Sequence, residues 1–483
     1  MNLSLMLRVL GVLLLIVSAF LSLCIPVALV YGESEVVWTF LVPIGINLAV
    51  FGAGRFLNRS RRDTTLSVRS GYLLVALSWL SVTATGALPF VLSRAIPRYV
   101  DAFFETMSGF TTTGASILTD VEVVGRSLLF WRSMTHWLGG MGIVVLTVAI
   151  FPLLGIGGLR LMDAEAPGPS VDKFTPRISA TAKFLWLTYI GLTLLEVILL
   201  VIGKMGLFDA LAHAFGTMAT GGFSTRNASV GHYRSAYIQI VITVFMLMAG
   251  ASFTIYYRLL RGQFRSLLRD SELKAYLAIF IAGSLAIAFS LKGLLPAGFS
   301  GRLRAAGFQV ASILTTTGFA TENFGQWPHF SRVILFVLMF IGGCAGSTAG
   351  GIKVVRFVTL FKQAATELRY LVNPRGIFSV QVSGQTIRKN VIYEVYAFFF
   401  LYLCLLFVTL LVVASGGNDI VTSFTASLAT LGNIGPGLEL VGPAGNYAHF
   451  PDYITWWLSF AMLAGRLELY AVLLLLTRDF WRR

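Results

Sequence analysis

The chain has 483 residues, of which 56% are hydrophobic and 12% charged, and its formal net charge is +15. Soluble globular proteins carry about 25% charged residues. No soluble fold could bury this much apolar surface, so composition excludes that class and makes lipid the solvent of an integral membrane protein.

Long apolar stretches run at 8–31, 37–54, 70–92, 133–159, 184–203, 235–257, 275–291, 333–361, 390–414 and 453–477, predicting ten spans with both termini on one side. The first is too long for a signal-peptide core and lacks a small-residue cleavage site, so it is read as a retained helix. Segments 1–8, 55–69, 160–183, 258–274, 353–389 and 478–483 hold 25 Lys and Arg. The opposite loops hold 11, and Arg466 lies inside the last span. This asymmetry places the richer side and both termini in the cytoplasm. The positive charge is therefore mainly a topology signal, with some attraction to anionic membrane lipid, and nucleic acid is not an expected partner. Cys24, Cys344 and Cys404 are scattered and define no disulfide framework. The five histidines show no metal-ligand spacing, and no site looks enzymatic. Trp131, Trp137, Trp327, Trp456, Trp457 and Trp481 sit near span ends and are read as interfacial anchors.

The external loops carry a repeat. Each of the last four contains a short helix-like run ending at a glycine: Thr111-Thr112-Thr113-Gly114, Ala219-Thr220-Gly221, Thr315-Thr316-Thr317-Gly318 and Asn433-Ile434-Gly435. The glycines are separated by 107, 97 and 117 residues, a period near one hundred. Asp101, Asp209 and Asp419 open three of the runs, where an acid suits a helix N-terminus as cap and against the dipole. The third run has Arg302 and Arg304 there instead. Re-entrant backbone at membrane depth is tolerated only where protein buries it or it lines a water-filled path. Four such segments can converge on one axis, where carbonyl rings replace the hydration shell of a cation and threonine hydroxyls add oxygen ligands. One such motif carries little weight; four in equivalent positions carry the filter reading.

Two further stretches stand out. Gly342-Gly343-Cys344-Ala345-Gly346-Ser347-Thr348-Ala349-Gly350-Gly351 interrupts the eighth span with five glycines, too many for a straight helix. A phosphate-loop reading fails because Ile352 stands where lysine is required. A small-residue packing patch is the competing reading; the preferred one is an unwound loop that obstructs or opens the path. Arg466 is the lone basic residue of the last span, where charge is costly and faces a cavity or a partner. Two readings stay open for it: an ion pair with Glu196 or Glu394, and a place near the pore axis. Glu468, two residues away, faces elsewhere on the helix. Lys353 is placed at the cytoplasmic boundary.

With these filter sequences, with GGCAGSTAGGIK at Gly342 to Lys353 and with AGRLELY at Ala464 to Tyr470, the chain resembles the Trk potassium-uptake family, specifically its TrkH-type membrane subunits, from about residue 65 to its end. The resemblance implies an all-α polytopic fold of ten transmembrane helices with four re-entrant pore helices. These form four tandem M1-P-M2 repeats around a pseudo-tetrameric, potassium-channel-like pore. The units expected are an extra N-terminal two-helix unit at 1–64 and repeats at 65–160, 161–262, 263–375 and 376–483. Potassium is the expected cargo, bound by the filter residues named above, and glycine at Gly114 matches the potassium-preferring pattern. Gly342, Gly343, Gly346, Ser347, Thr348, Gly350, Gly351 and Arg466 are the expected gate. The resemblance also implies a homodimer with one pore per chain, and a cytosolic TrkA-like nucleotide-binding partner on the basic loops. The expected function is potassium translocation across the bacterial cytoplasmic membrane. The alternatives are symport with protons or sodium by alternating access, and a scaffold with a closed pore.

Overall fold

The structure, a computed structural model, describes residues 3–57, 67–142, 178–267, 269–294 and 298–482. The predicted span at 133–159 lies mostly outside these residues, as does most of the basic segment 160–183. The principal helices are α1 (Leu3–Ser22), α2 (Val37–Leu57), α3 (Val68–Gly86), α4 (Tyr99–Phe110), α5 (Arg126–Gly140), α6 (Ile178–Ile202), α7 (Leu207–Met218) and α8 (Ala236–Gly250). They continue with α9 (Ser271–Ser290), α10 (Phe299–Leu314), α11 (His329–Leu338), α12 (Val354–Val372), α13 (Lys389–Ala414), α14 (Ile420–Leu431) and α15 (Asp452–Arg466).

Among the described residues, six helical stretches are long and apolar enough to cross a membrane, or eight when each of two bent pairs counts as one span. The two bends account for two of the ten spans predicted from hydropathy. α8 turns by 93° into Phe253–Leu260, and α15 turns by 118° into Tyr470–Leu476. Neither break contains proline. At the second, Glu468 and Leu469 hold φ of 51° and 65°, a left-handed backbone costly for side chains with a Cβ. The eighth predicted span is interrupted where its glycines fall: α11 ends at Leu338 and α12 starts at Val354.

Between helices in lipid the hydrophobic effect gives little drive, so close backbone approach and interhelical hydrogen bonds hold the bundle. α1 and α2 meet this way. A Cβ on Gly11 would collide with the Phe51 backbone and one on Gly54 with the Leu7 carbonyl, while Asn47 donates to the Ser18 hydroxyl at 3.0 Å. Three of the tryptophans read as interfacial anchors prove to be core. Trp131 and Trp327 are buried, and Trp137 stacks on Tyr189 and donates to the Thr193 hydroxyl. Trp456 and Trp481 do sit exposed. Among the described residues one element is not helical: a two-residue Ser383-Gly384 turn, both with positive φ, closes a small hairpin of β1 (Gln381–Val382) and β2 (Gln385–Thr386).

The four short helices α4, α7, α10 and α14 are buried along most of their length and throughout their C-terminal halves, unlike the long lipid-facing helices. Only Asp419 acts as the expected side-chain cap, accepting from the Thr422 amide at 2.9 Å. Asp209 turns away to the Thr225 hydroxyl, Arg226 and Tyr233, and Asp101 to Arg98. The acids still favour the positive end of each dipole. α10 follows Gly298 with no acid in its first turn.

Candidate functional site: a ring of four glycine turns

All four short helices end in the same way. A left-handed residue follows each: Thr112 (φ 54°), Thr220 (54°), Thr316 (56°) and Asn433 (52°). The next amide bonds back across the turn: Thr113 to Ser108, Gly221 to Gly216, Thr317 to Ser312 and Ile434 to Ala429, at 2.8–2.9 Å. A glycine with positive φ comes next: Gly114, Gly222, Gly318 and Gly435. β-branched threonine in the left-handed region is strained by about 1–3 kcal/mol, and such strain persists only where the surroundings dictate it. Three threonines and an asparagine hold it at one equivalent position.

This geometry corrects the second repeat by one residue. Aligned on its first glycine, MATGG sets Gly221 against Gly114; the backbone sets Gly221 against Thr113 and Gly222 against Gly114. Two adjacent glycines made both registers readable in the sequence, and only φ distinguishes them. Gly222 is thus a residue that the motif reading missed.

The four turns close into a ring. A Cβ built on Gly114 would overlap the Gly221 carbonyl oxygen. One on Gly222 would overlap that of Thr317, one on Gly318 that of Ile434, and one on Gly435 that of Thr113. Each glycine therefore packs on the carbonyl one step before the next glycine, in the order 1-2-3-4-1. Beyond the ring lies a cavity of about 190 Å³ lined by all four glycines. The threonine hydroxyls expected as extra ligands are largely engaged with each other: Thr111 with Thr113 at 2.8 Å and Thr315 with Thr317 at 2.7 Å. In the fourth repeat Asn433 replaces that pair, donating to the Thr113 hydroxyl and the Met462 carbonyl, both at 2.9 Å.

Behind the first two turns stands a buried polar brace unread in the sequence. Arg132, on α5, pairs with Glu105 of α4 at 2.6 Å; their side chains are 4% and 0% exposed. Arg132 also donates to the Ser224 carbonyl and the Ser116 hydroxyl and lies over the Phe223 ring, 3.5 Å from its centre. Glu105 accepts from Ser116 and from the Ile117 amide. Arg132 had counted among the external-loop charges; burial and pairing make it structural. His136 stacks on Phe223 and its Nδ1 contacts the Gly109 carbonyl at 2.7 Å, backing the second turn. In the outer loops, Asn227 links the first two repeats, donating to Asp120 at 2.7 Å and accepting from the Val121 amide. That bond holds the Asp120 carboxyl below its ordinary range.

At the opposite end of the turns lies the glycine-rich loop. It is pinched at its base, where the Gly342 amide donates to the Ile352 carbonyl at 2.8 Å. A Cβ on Gly343 would meet the Gly250 carbonyl, and one on Gly351 would crowd Gly342 and the Thr316 methyl. The Cys344 amide takes the Gly250 carbonyl at 2.8 Å and the Phe253 amide takes the Gly346 carbonyl at 2.9 Å, so the break after α8 seats the loop. Ser347 bonds within the loop, to the Cys344 carbonyl. Thr348 donates to the carbonyls of Met218 and Ala249, and its hydroxyl lies 3.5 Å from that of Thr220. The Gly350 amide donates to the Thr316 hydroxyl at 2.7 Å, and a Cβ there would collide with Gly432 and Asn433. The loop therefore sits directly under the second, third and fourth turns.

Arg466 ends α15 beside this loop. It donates to the Thr348 carbonyl at 2.8 Å and to the carbonyls of Gly139 and Gly140 at 2.7 and 3.1 Å, tying the loop to the end of α5. Glu468 pairs with Arg356. Lys353, placed at the boundary by the sequence, is buried and folds back onto the Ala349 carbonyl.

Comparison with known proteins agrees with this architecture. The TrkH family, described as cation transport protein, matches residues 41–286 and 295–481. The Trk system potassium uptake protein TrkH of Salmonella typhimurium is 39% identical over 98% of both chains, and that of Halomonas elongata is 39% identical over 100% of both. The crystal structure of the potassium transporter TrkH from Vibrio parahaemolyticus superposes with a TM-score of 0.87 at 36% identity, covering 100% of each chain. A helical, multi-pass membrane architecture, a closed ring of four glycine turns and a match along nearly the full length lead to one conclusion: the chain belongs to the TrkH family of cation transport proteins.

Proposed function

We propose that the chain moves potassium across the bacterial cytoplasmic membrane through the ring of four turns, with the loop at 342–353 as its gate. The observation that carries this reading is the cyclic packing of four positive-φ glycines on four carbonyls, an arrangement that aims backbone oxygen at one axis. The C-terminal ends of α4, α7, α10 and α14 reach the same place and add partial negative charge. The repeats at 65–160, 161–262, 263–375 and 376–483 each supply one turn, after the N-terminal unit at 1–64. Both termini face the cytoplasm, on the lysine- and arginine-rich side. Two copies assemble, each with its own pore, and a cytosolic nucleotide-binding subunit acts on the basic loops to shift the gate. The relatives' membership of a Trk system supports a multi-subunit assembly.

Uptake of radioactive rubidium into liposomes holding the purified protein tests this reading. Potassium and rubidium outside are expected to compete better than sodium or lithium, with no pH gradient required. Uptake only under an imposed proton gradient would replace the pore with a symporter. In Gly318→Ser, whose side chain would press on the Ile434 carbonyl, the preference for potassium over sodium is expected to fall about tenfold, the effect of roughly 1.4 kcal/mol at one ring.

Arg466→Ala is expected to raise rubidium flux. It removes a positive charge beside the path and the bond that holds Thr348 in place. Charge-assisted bonds of this kind contribute about 1.5–3 kcal/mol, so a rise of about tenfold or more is the expected reading in the same liposomes. An unchanged flux would remove Arg466 from the gate.

A further inference from the structure

The gate has an anchor outside itself. In the first turn of α9, one oxygen of Glu272 accepts two backbone amides, that of Ala345 at 2.7 Å and that of Val355 at 3.0 Å. Ala345 stands early in the glycine-rich loop and Val355 just past its end, ten residues apart along the chain. A single carboxylate thus fastens both limbs of the loop to one helix terminus. Glu272 is itself fixed, because Asp270 caps α9 through the amides of Glu272 and Leu273. The neighbouring Ser271 is tied to the β1–β2 hairpin by a reciprocal pair: its amide donates to the Ser383 hydroxyl, and the Ser383 amide to its own. Lys362 of α12 holds the same hairpin through the Gln381 carbonyl at 2.7 Å.

The glycine-rich loop has little regular structure of its own, so its obstructing arrangement depends on such outside contacts. The two bonds share one acceptor oxygen, so they are lost together when it moves. We propose that Glu272 is the positioning residue that latches the loop beneath the filter, and that the hairpin is the lever through which movement at the cytosolic face releases it. The proposal rests on the reading of the 342–353 loop as a gate. The latch grips Ala345 and Val355, whereas Arg466 holds the Thr348 carbonyl. These two side-chain fastenings, one from α9 and one from α15, add to the backbone bonds that seat the loop on the break after α8.

The test uses the full chain in liposomes, with Cys24 and Cys404 changed to serine, leaving Cys344 as the reporter. Cys344 is buried, 1% exposed, and adjoins Ala345. Glu272→Ala is expected to raise rubidium flux about tenfold, the effect of losing roughly 1.4 kcal/mol of closed-state preference. It is also expected to speed Cys344 modification by a soluble maleimide by a similar factor, with potassium-over-sodium preference unchanged. Glu272→Gln keeps an acceptor oxygen and is expected to stay near the parent in both readouts. Should Glu272→Ala fail to insert, Glu272→Asp carries the test, since a chain one methylene shorter cannot span both amides and must raise both readouts. Flux and labelling at parent level in these variants, while Arg466→Ala raises flux, would overturn the latch and leave the gate standing. Parent-level flux in all of them, Arg466→Ala included, would overturn the gate and the latch with it.

Discussion

Replacing Gly222 by alanine is expected to abolish potassium-selective uptake, although the motif reading did not single that residue out. Gly222 holds φ of 79°, and a Cβ there would run into the Thr317 carbonyl. Alanine must therefore either carry a left-handed backbone, at about 1 kcal/mol or more, or rotate the peptide. Either route displaces the carbonyl on which the ring closes. A cation site of this kind depends on the number and placement of its oxygens, so a fall in potassium flux of about a hundredfold is the expected reading. Competition with sodium in the same liposomes shows whether the residual flux has lost its preference. Full selectivity in Gly222→Ala would mean that the second repeat uses the other register, with Gly221 opposite Gly114.

The second large effect concerns the brace behind the ring. Glu105→Ala leaves the Arg132 guanidinium buried without its carboxylate, a loss that costs about 3–5 kcal/mol. The thermal midpoint of the purified protein is expected to drop by several degrees, and uptake to fall with it. The double variant Glu105→Leu with Arg132→Met separates stability from function. Apolar replacement of a buried pair is often neutral or stabilising, so much of the thermal loss should return. Uptake should not return, because the Glu105 bonds to the Ser116 hydroxyl and the Ile117 amide, which position the first turn, are absent in both variants, and the double variant also lacks the Arg132 bond to the Ser224 carbonyl. Recovery of both properties would show that the pair only stabilises the fold. If the single variant loses no stability, the pair is not the brace described.

Much of this was legible in the chain. Composition fixed lipid as solvent, and the run-then-glycine pattern located all four turns, because a helix end that must turn back needs left-handed residues and leaves them in the sequence. The glycines at 342–351 marked a break for the same reason. Other features had no local signature. Glu105 and Arg132 are 27 residues apart and meet only once α4 packs on α5. The bends after Gly250 and Arg466 contain no proline; at the first the loop takes the Gly250 carbonyl, and at the second Glu468 and Leu469 are left-handed. Trp131 looked interfacial by position, yet its indole donates to the Gly86 carbonyl inside the bundle. Span-end position alone does not separate a lipid anchor from a packed ring.

The central claim is that the carbonyls of Thr113, Gly221, Thr317 and Ile434 face one cation-binding axis. Crystals grown in a rubidium or thallium salt, measured at the ion's absorption edge, test it most directly. The account predicts an anomalous peak on the axis of the ring, at similar distance from all four carbonyl oxygens, that weakens when potassium replaces the heavier ion. Anomalous density elsewhere with none on that axis would contradict it.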